Sequence, residues 1–370
     1  MLPLSIRARR TARAGAAALG VALASLLPVN TVPGLSTQAE APAPLVGFSF
    51  VNESAYFEGM DPGTALGQLL RDLHPDLVRL PVYWSDIEAQ KGTYDYDALD
   101  SLLDVVTTYN ATASRPARVI LAVGARNLSY PEVYLPSWVL EDDLSVANAE
   151  KLPDYRAYFE GTIKRYARNP LIYYWQVENE GLDNVSTESD QPVALSLTTV
   201  AAEVRRVHQL DGTHPAIVTT FNSSSLDLDR RNQGPLGWLF QVLPGPHASG
   251  HPAEALKAGD IMGLDVYVAT PFTPLGEVSA AQRIQWKGQS LSYWADAAGA
   301  SGKQLWITEM QAYPWIDSGG FTASDLRFSA LQYRDKGVNA VLLWGVENWL
   351  GDPTWMRVGK DAIALLRQEP

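Results

Sequence analysis

The run YYWQVENEG, Tyr173 to Gly181, packs three aromatics and a valine and then stops on Glu178-Asn179-Glu180. Its apolar part predicts a strand buried on both faces. Such a strand ends in carboxylates for one of two reasons: it runs out into solvent, or its end is a site that uses them. Two more apolar runs finish in a similar way, QLWITEMQA with Glu309 and AVLLWGVEN with Glu347 and Asn348. Paired carboxylates suit cleavage of the acetal link between sugars. One protonates the departing oxygen; the other attacks the anomeric carbon at a separation of ~5–5.5 Å, or activates a water across a wider gap.

Bringing these groups together falls to the fold. Strand-like runs recur at Leu45–Phe50, Leu77–Tyr83, Arg118–Val123, Ile172–Val177, Ala216–Phe221, Asp260–Tyr267, Gln304–Thr308 and Ala340–Trp344. Amphipathic segments separate most of them: Thr64–His74, Tyr96–Tyr109, Asp154–Arg168, Val193–Leu210, Ala280–Ala300 and Thr322–Lys336, with Lys360–Gln368 after the last strand. The fifth unit is weaker, with short helical pieces at Gly237–Leu243 and Pro252–Lys257. Eight alternations predict an α/β chain folded as a single (β/α)8 TIM barrel over residues 42–370. A doubly wound sheet would carry a Gly-rich phosphate turn after its first strand, and VGFSFVNES has none. In a barrel the chemistry sits where strands end. Strands four and seven lie three places apart around eight, so Glu180 and Glu309 can face one another across the mouth.

The 370 residues are 46% hydrophobic and 19% charged, with 11 Trp, a globular composition. Cys is absent, which excludes disulfides, thiol catalysis and Cys-bound metal. Arg7, Arg9, Arg10 and Arg13 precede the apolar segment Ala14–Leu27, and Ala39-Glu40-Ala41 offers small residues for cleavage. Residues 1–41 are therefore expected to be a signal peptide or an N-terminal anchor with a linker, and the protein to be secreted, or held at a membrane only if that segment stays uncleaved. Without those residues, 25 basic side chains face 40 acidic ones, a net charge of −15. Such a surface repels phosphate backbones and polyanionic glycans, so no nucleic acid is expected as a partner and a neutral carbohydrate is.

These residues resemble the clan A retaining glycoside hydrolases, which include the family 5 cellulases and mannanases and the family 42 β-galactosidases. Asn179-Glu180 matches the clan's Asn-Glu at the end of strand four, and Glu309 matches its second Glu at the end of strand seven. The resemblance implies that Glu180 is the acid/base, that Glu309 is the nucleophile and that Asn179 bonds the sugar 2-OH. It also implies that Arg79, in LVRLPVYW, and Tyr267, closing GLDVY, hydrogen-bond the nucleophile, and that Trp344 forms the floor under the cleaved sugar. The segment IEAQKGTYDYDALD fits the clan's stretch before helix two, whereas the His residues usual near strands three and five of family 5 are missing. YWQVENE lies closer to the Trp-Gln-x-x-Asn-Glu of family 42, and the family is left open.

Each residue also has a plainer reading. Arg79 fits a barrel-interior ion pair, Tyr267 and Trp344 fit core packing, and Glu178 fits either a partner in Glu180's titration or a buried structural acid. Glu347 and Asn348 are expected to hold sugar hydroxyls or face solvent. Trp84, Trp138, Trp315, Trp349 and Trp355 fall in or near βα loops, where aromatic faces would stack on sugar C–H faces. No metal or cofactor is expected, because the five His residues are scattered. Hydrolysis of O-glycosyl bonds by double displacement is the expected activity. Transfer to another sugar, and binding without cleavage, remain the alternatives.

Overall fold

Parallel strands walled in by helices lose water on both faces, which favours largely apolar runs such as Leu77–Tyr83, where all seven residues are buried and Arg79 is the one charge. The computed structural model describes residues 43–130, 132–141, 146–183, 193–222, 250–268, 278–314 and 320–368. Its strands are β1 Leu45–Ser49, β2 Leu77–Tyr83, β3 Arg118–Gly124, β4 Ile172–Val177, β5 Ala216–Phe221, β6 Ile261–Val266, β7 Gln304–Gln311 and β8 Ala340–Trp344. They are parallel, follow one another in sequence order and close where β8 pairs with β1. The eight expected runs match them to within a few residues at each end. The expected leader and Gly237–Leu243 lie outside the described residues. Among the described residues no helix is long and apolar enough to cross a membrane.

Helix starts follow side-chain caps. Asp61 accepts from the Thr64 N–H to start Pro62–Leu73, and Ser279 accepts from Gln282 to start Ala280–Ala300. Thr322 and Asp325 form a reciprocal capping box before Ala323–Tyr333. Two starts differ from expectation for the same reason. Ser196 delays the fourth barrel helix to Leu197, and Asp352, followed by Pro353, begins the last helix well before Lys360.

Alternation along each strand divides the apolar residues into two layers. Val78, Leu80 and Val82 point outward into the layer between strands and helices. Leu77, Ile120, Ile217, Ile261, Trp306 and Leu342 point inward and fill the start of the barrel. One step further along the axis the interior turns polar, with Ser49, Arg79, Gln176, Thr219, Asp265 and Thr308 all buried. The polar layer floors the C-terminal mouth.

β7 reaches that mouth through an irregularity. Leu264 pairs with Ile307 and Asp265 with Glu309, so Thr308 is an extra residue, and the same shift recurs against β8. Trp306 and Glu309 are three apart, which in a regular strand would put them on opposite faces; the bulge turns both inward. Gly263 accommodates it, since a Cβ there would lie 2.7 Å from Thr308 Oγ1. Replacing the inner-layer anchor, Trp306→Ala, is expected to cost about 3–5 kcal/mol of unfolding free energy, read from urea denaturation.

Candidate active site

Arg79 stands on β2 two residues beyond Leu77, so it is the first charged group of the interior, and its side chain has no solvent exposure. Each of its three nitrogens donates one hydrogen bond. Nε donates to Ser49 Oγ at 2.8 Å, Nη1 to Gln176 Oε1 at 2.7 Å and Nη2 to Glu309 Oε1 at 2.7 Å. The Tyr267 hydroxyl donates to Glu309 Oε2. Burial first, and then the negative charge of Glu309, push the Tyr267 phenol well above its usual range, so it remains a donor.

The end of β4 is held from several sides. Gln176 uses its amide to donate to Asn179 Oδ1 at 2.9 Å and to the Glu178 carbonyl at 3.1 Å. The Glu180 N–H donates to Thr219 Oγ1 at 2.9 Å, and Arg126 donates to the Glu180 and Asp183 carbonyls. Glu178 and Glu180 both have left-handed backbone, at φ 57° and 46°, which sends successive side chains to different places. Glu178 turns away from the cavity. Its carboxylate accepts from the Ala125 N–H at 2.9 Å, the Arg126 N–H at 2.6 Å and the Tyr155 hydroxyl at 2.8 Å, and so serves as a structural acid. Gly124 makes room for it, because a Cβ there would fall 2.4 Å from the Glu178 carboxyl carbon.

Glu180 and Glu309 meet in one cavity of ≈ 320 Å³, lined also by Asn179, Tyr267, Trp344 and Glu347 of the expected set. Glu180 is raised well above the ordinary carboxylate range, by burial first and then by the charges of Glu132, Asp265, Asp183 and Glu309. Among the described residues, ion pairs join Arg79 to Glu309 and Arg126 to Glu132, and none involves Glu180. The two carboxylates therefore sit in opposite environments: one beside a guanidinium, the other among acids. Glu347 accepts the Val51 N–H at 2.7 Å, and burial pushes it up to about 7. Trp344 closes one wall, with the Arg79 guanidinium 5.7 Å from its ring centroid.

Arg79 itself does not line the cavity. It was expected among the substrate-binding groups, but being wholly enclosed it acts on Glu309 rather than on a ligand. Trp84 requires a correction. It is fully buried behind β2, stacks on Tyr158 with centroids 5.8 Å apart, and donates its indole N–H to Glu88 at 2.8 Å, because an indole in a short helix packed under others has no route to the mouth. Trp138, Trp349 and Trp355 likewise pack rather than line the cavity: Trp138 against Trp84, Trp349 with its N–H on the Ala312 carbonyl, Trp355 against Tyr313 and Phe321. Trp315 lies outside the described residues. Among the described residues the tryptophan that lines the cavity is Trp344, joined by Phe221, whose ring stacks at 12° and 6.4 Å on Tyr267. Ser129, Tyr130 and Glu132, from the loop after β3, also line the cavity and were not anticipated.

Among the described residues one acidic cluster has the spacing to hold a cation: Glu150, Glu178 and Glu203. None of the three lines the cavity. Burial pushes Glu178 up to about 7, Glu150 up to about 11 and Glu203 well above its usual range, so the cluster carries less than its full negative charge. The central ion pair has a direct stability test. Arg79→Ala leaves Glu309 buried without its partner and is expected to cost about 3–5 kcal/mol in chemical denaturation. Adding Glu309→Gln should recover part of that loss, because the stranded charge is gone.

No protein-family model matches the chain, and no curated protein matches it in sequence. Solved structures do. A GH5_18 protein from Streptomyces cattleya, in complex with GlcNAc, superimposes with a TM-score of 0.62 at 15% identity, covering 89% of this chain and 82% of that one. The exo-β-1,4-mannosidase Op5Man5 from Opitutaceae bacterium strain TAV5 gives 0.56 at 17% identity over 88% of this chain and 59% of that one. A polyextremophilic β-galactosidase from the Antarctic haloarchaeon Halorubrum lacusprofundi gives 0.52 at 13% identity over 81% and 52%. This chain spans less than two thirds of the latter two. At such identities the likeness is one of fold: the chain is an eight-stranded parallel barrel of the architecture found in clan A glycoside hydrolases.

Proposed function

We propose that the chain is a secreted, retaining β-glycoside hydrolase that cleaves O-glycosidic bonds of neutral oligo- or polysaccharides. The observation that carries this reading is the asymmetry of the two facing carboxylates. Glu309 has a guanidinium at 2.7 Å and a phenol donor, which suit a carboxylate nucleophile, whereas Glu180 has its pKa raised by burial and by surrounding acids, which suits a proton donor. In the first step a Glu309 oxygen attacks the anomeric carbon and the bond to the leaving oxygen breaks. Glu180 gives that oxygen its proton. In the second step Glu180 takes a proton from water, the water oxygen bonds to the anomeric carbon, and the Glu309 carboxylate departs.

Asn179, which lines the cavity and is held through its Oδ1 by Gln176 at 2.9 Å, is placed to bond the sugar 2-OH, and Trp344 to lie beneath the ring. The Arg-bearing leader with its apolar core supports export, and the acidic balance supports a neutral substrate. The GlcNAc bound by the Streptomyces cattleya protein, on the same fold, supports carbohydrate as the ligand class.

Substitution tests the assignment of roles. Glu309→Ala should abolish release of aryl aglycone and regain turnover with azide, giving an α-glycosyl azide; turnover without azide would remove Glu309 from the mechanism. Glu180→Gln should lose about 10²–10⁴-fold on substrates with poor leaving groups. In the wild-type protein the glycosylation rate should fall on the alkaline side of its optimum, as pH rises through the raised pKa of Glu180 and the acid loses its proton. A pH–rate profile with no alkaline limb would contradict the acid role.

A further inference from the structure

The cavity holds a carboxylate that the mechanism above leaves unused. Glu132 comes from the turn after β3, lines the same cavity as Glu180 and Glu309, and is 21% exposed. The turn is built to aim it. Ser129 and Glu132 both have left-handed backbone, at φ 74° and 66°; the Glu132 N–H donates to the Ser129 carbonyl at 2.7 Å, and the Asn127 N–H donates to the Glu132 carbonyl at 2.9 Å. Non-glycine residues hold such conformations at a cost, and here they occur on both sides of one cavity, at Ser129 and Glu132 and at Glu178 and Glu180.

The link between the two sides is Arg126. Its guanidinium, with no solvent exposure, pairs with the Glu132 carboxylate and at the same time donates to the carbonyls of Glu180 and Asp183. Those bonds hold the left-handed turn that carries Glu180. They also place a positive charge under a residue that must keep its proton, and an uncompensated guanidinium there would favour the ionised form.

We infer that Glu132 is a positioning residue for the acid/base: by pairing with Arg126 it lets the guanidinium hold the Glu180 backbone while cancelling the charge that would strip Glu180 of its proton. The inference rests on the glycosidase reading given above. The other groups facing Glu180 are Asp265 from β6, Tyr267 just beyond it, Glu309 from β7 and Asp183 from its own loop. Each already has a partner of its own. Arg79 and the Tyr267 hydroxyl bond Glu309, His251 stands 2.7 Å from Asp183, and the Thr308 hydroxyl donates to Asp265 at 2.6 Å. Glu132 itself faces Arg126, Glu309, Asp183 and Glu180. Of these, Arg126 is its bonded partner.

Glu132→Gln keeps a hydrogen-bond acceptor for Arg126 and removes the charge. The alkaline limb of kcat/KM on an aryl β-glycoside is expected to move to lower pH, with KM at the acid end of the profile changed by no more than roughly twofold. Glu132→Asp, which keeps the charge, should leave the limb near its wild-type position. A raised KM with an unmoved limb would make Glu132 a substrate-contacting group and overturn the inference, as would equal displacement by Asp and Gln. If the Gln variant does not fold, carboxyl 13C titration of the wild-type protein decides: Glu132 should ionise before Glu180 as pH rises, and the reverse order overturns the inference. Failure of the glycosidase reading shows separately, as folded wild-type protein that turns over no aryl β-glycoside.

Discussion

A guanidinium sealed inside a barrel has to find its counter-charge there, and Arg79 finds it in Glu309 at 2.7 Å. Most of the site follows from that pair. The remaining Arg79 donors reach Ser49 on β1 and Gln176 on β4, so one side chain ties the first, second, fourth and seventh strands at a single level. Gln176 passes the constraint on to Asn179, one residue from Glu180. The apolar plug beneath, with Leu77, Ile120 and Trp306, excludes water from the pair and strengthens it. The β7 bulge is what lets Glu309 reach it at all.

Against that fixed charge the opposite carboxylate takes the opposite state. Glu180 has a comparable burial but no cation of its own, and four acids around it. Two like groups in one cavity thereby stand in opposite electrostatic surroundings, which is the condition for dividing nucleophile from proton donor. The division rests on environment and not on residue type. Neutralising the surrounding ion pairs would erase it without touching either Glu.

The barrel was legible because its strands are near-continuous aliphatic runs of the length a buried parallel strand needs. Glu180 and Glu309 were legible as charges closing such runs, and Arg79 as a charge inside one. Other features left little trace in the sequence. Nothing in QLWITEMQA announces the bulge at Thr308, since parity alone would have turned Glu309 away from Trp306. Trp84 follows its strand as a mouth residue would, and only the packing of Tyr158 and Trp138 over it shows that it is core. Glu132 sits in GARNLSYPEVY with no periodicity to place it, and its role depends on Arg126 reaching across to another loop. Gln176 was the signal available in hindsight. It is a polar residue at an inward position of an apolar strand, two before Glu178, and such a residue needs a buried partner.

The account turns on Glu309 forming a bond to sugar. Intact mass spectrometry after incubation with a panel of 2-deoxy-2-fluoro-β-glycosides bearing activated leaving groups tests that directly, because slowing the second step accumulates the glycosyl-enzyme. The account predicts a mass increase of one fluorosugar for at least one member of the panel, mapped by peptide fragmentation to Glu309. A label on Glu180, Glu132 or Glu347, or hydrolysis of the parent glycosides with no label from any member, would contradict it.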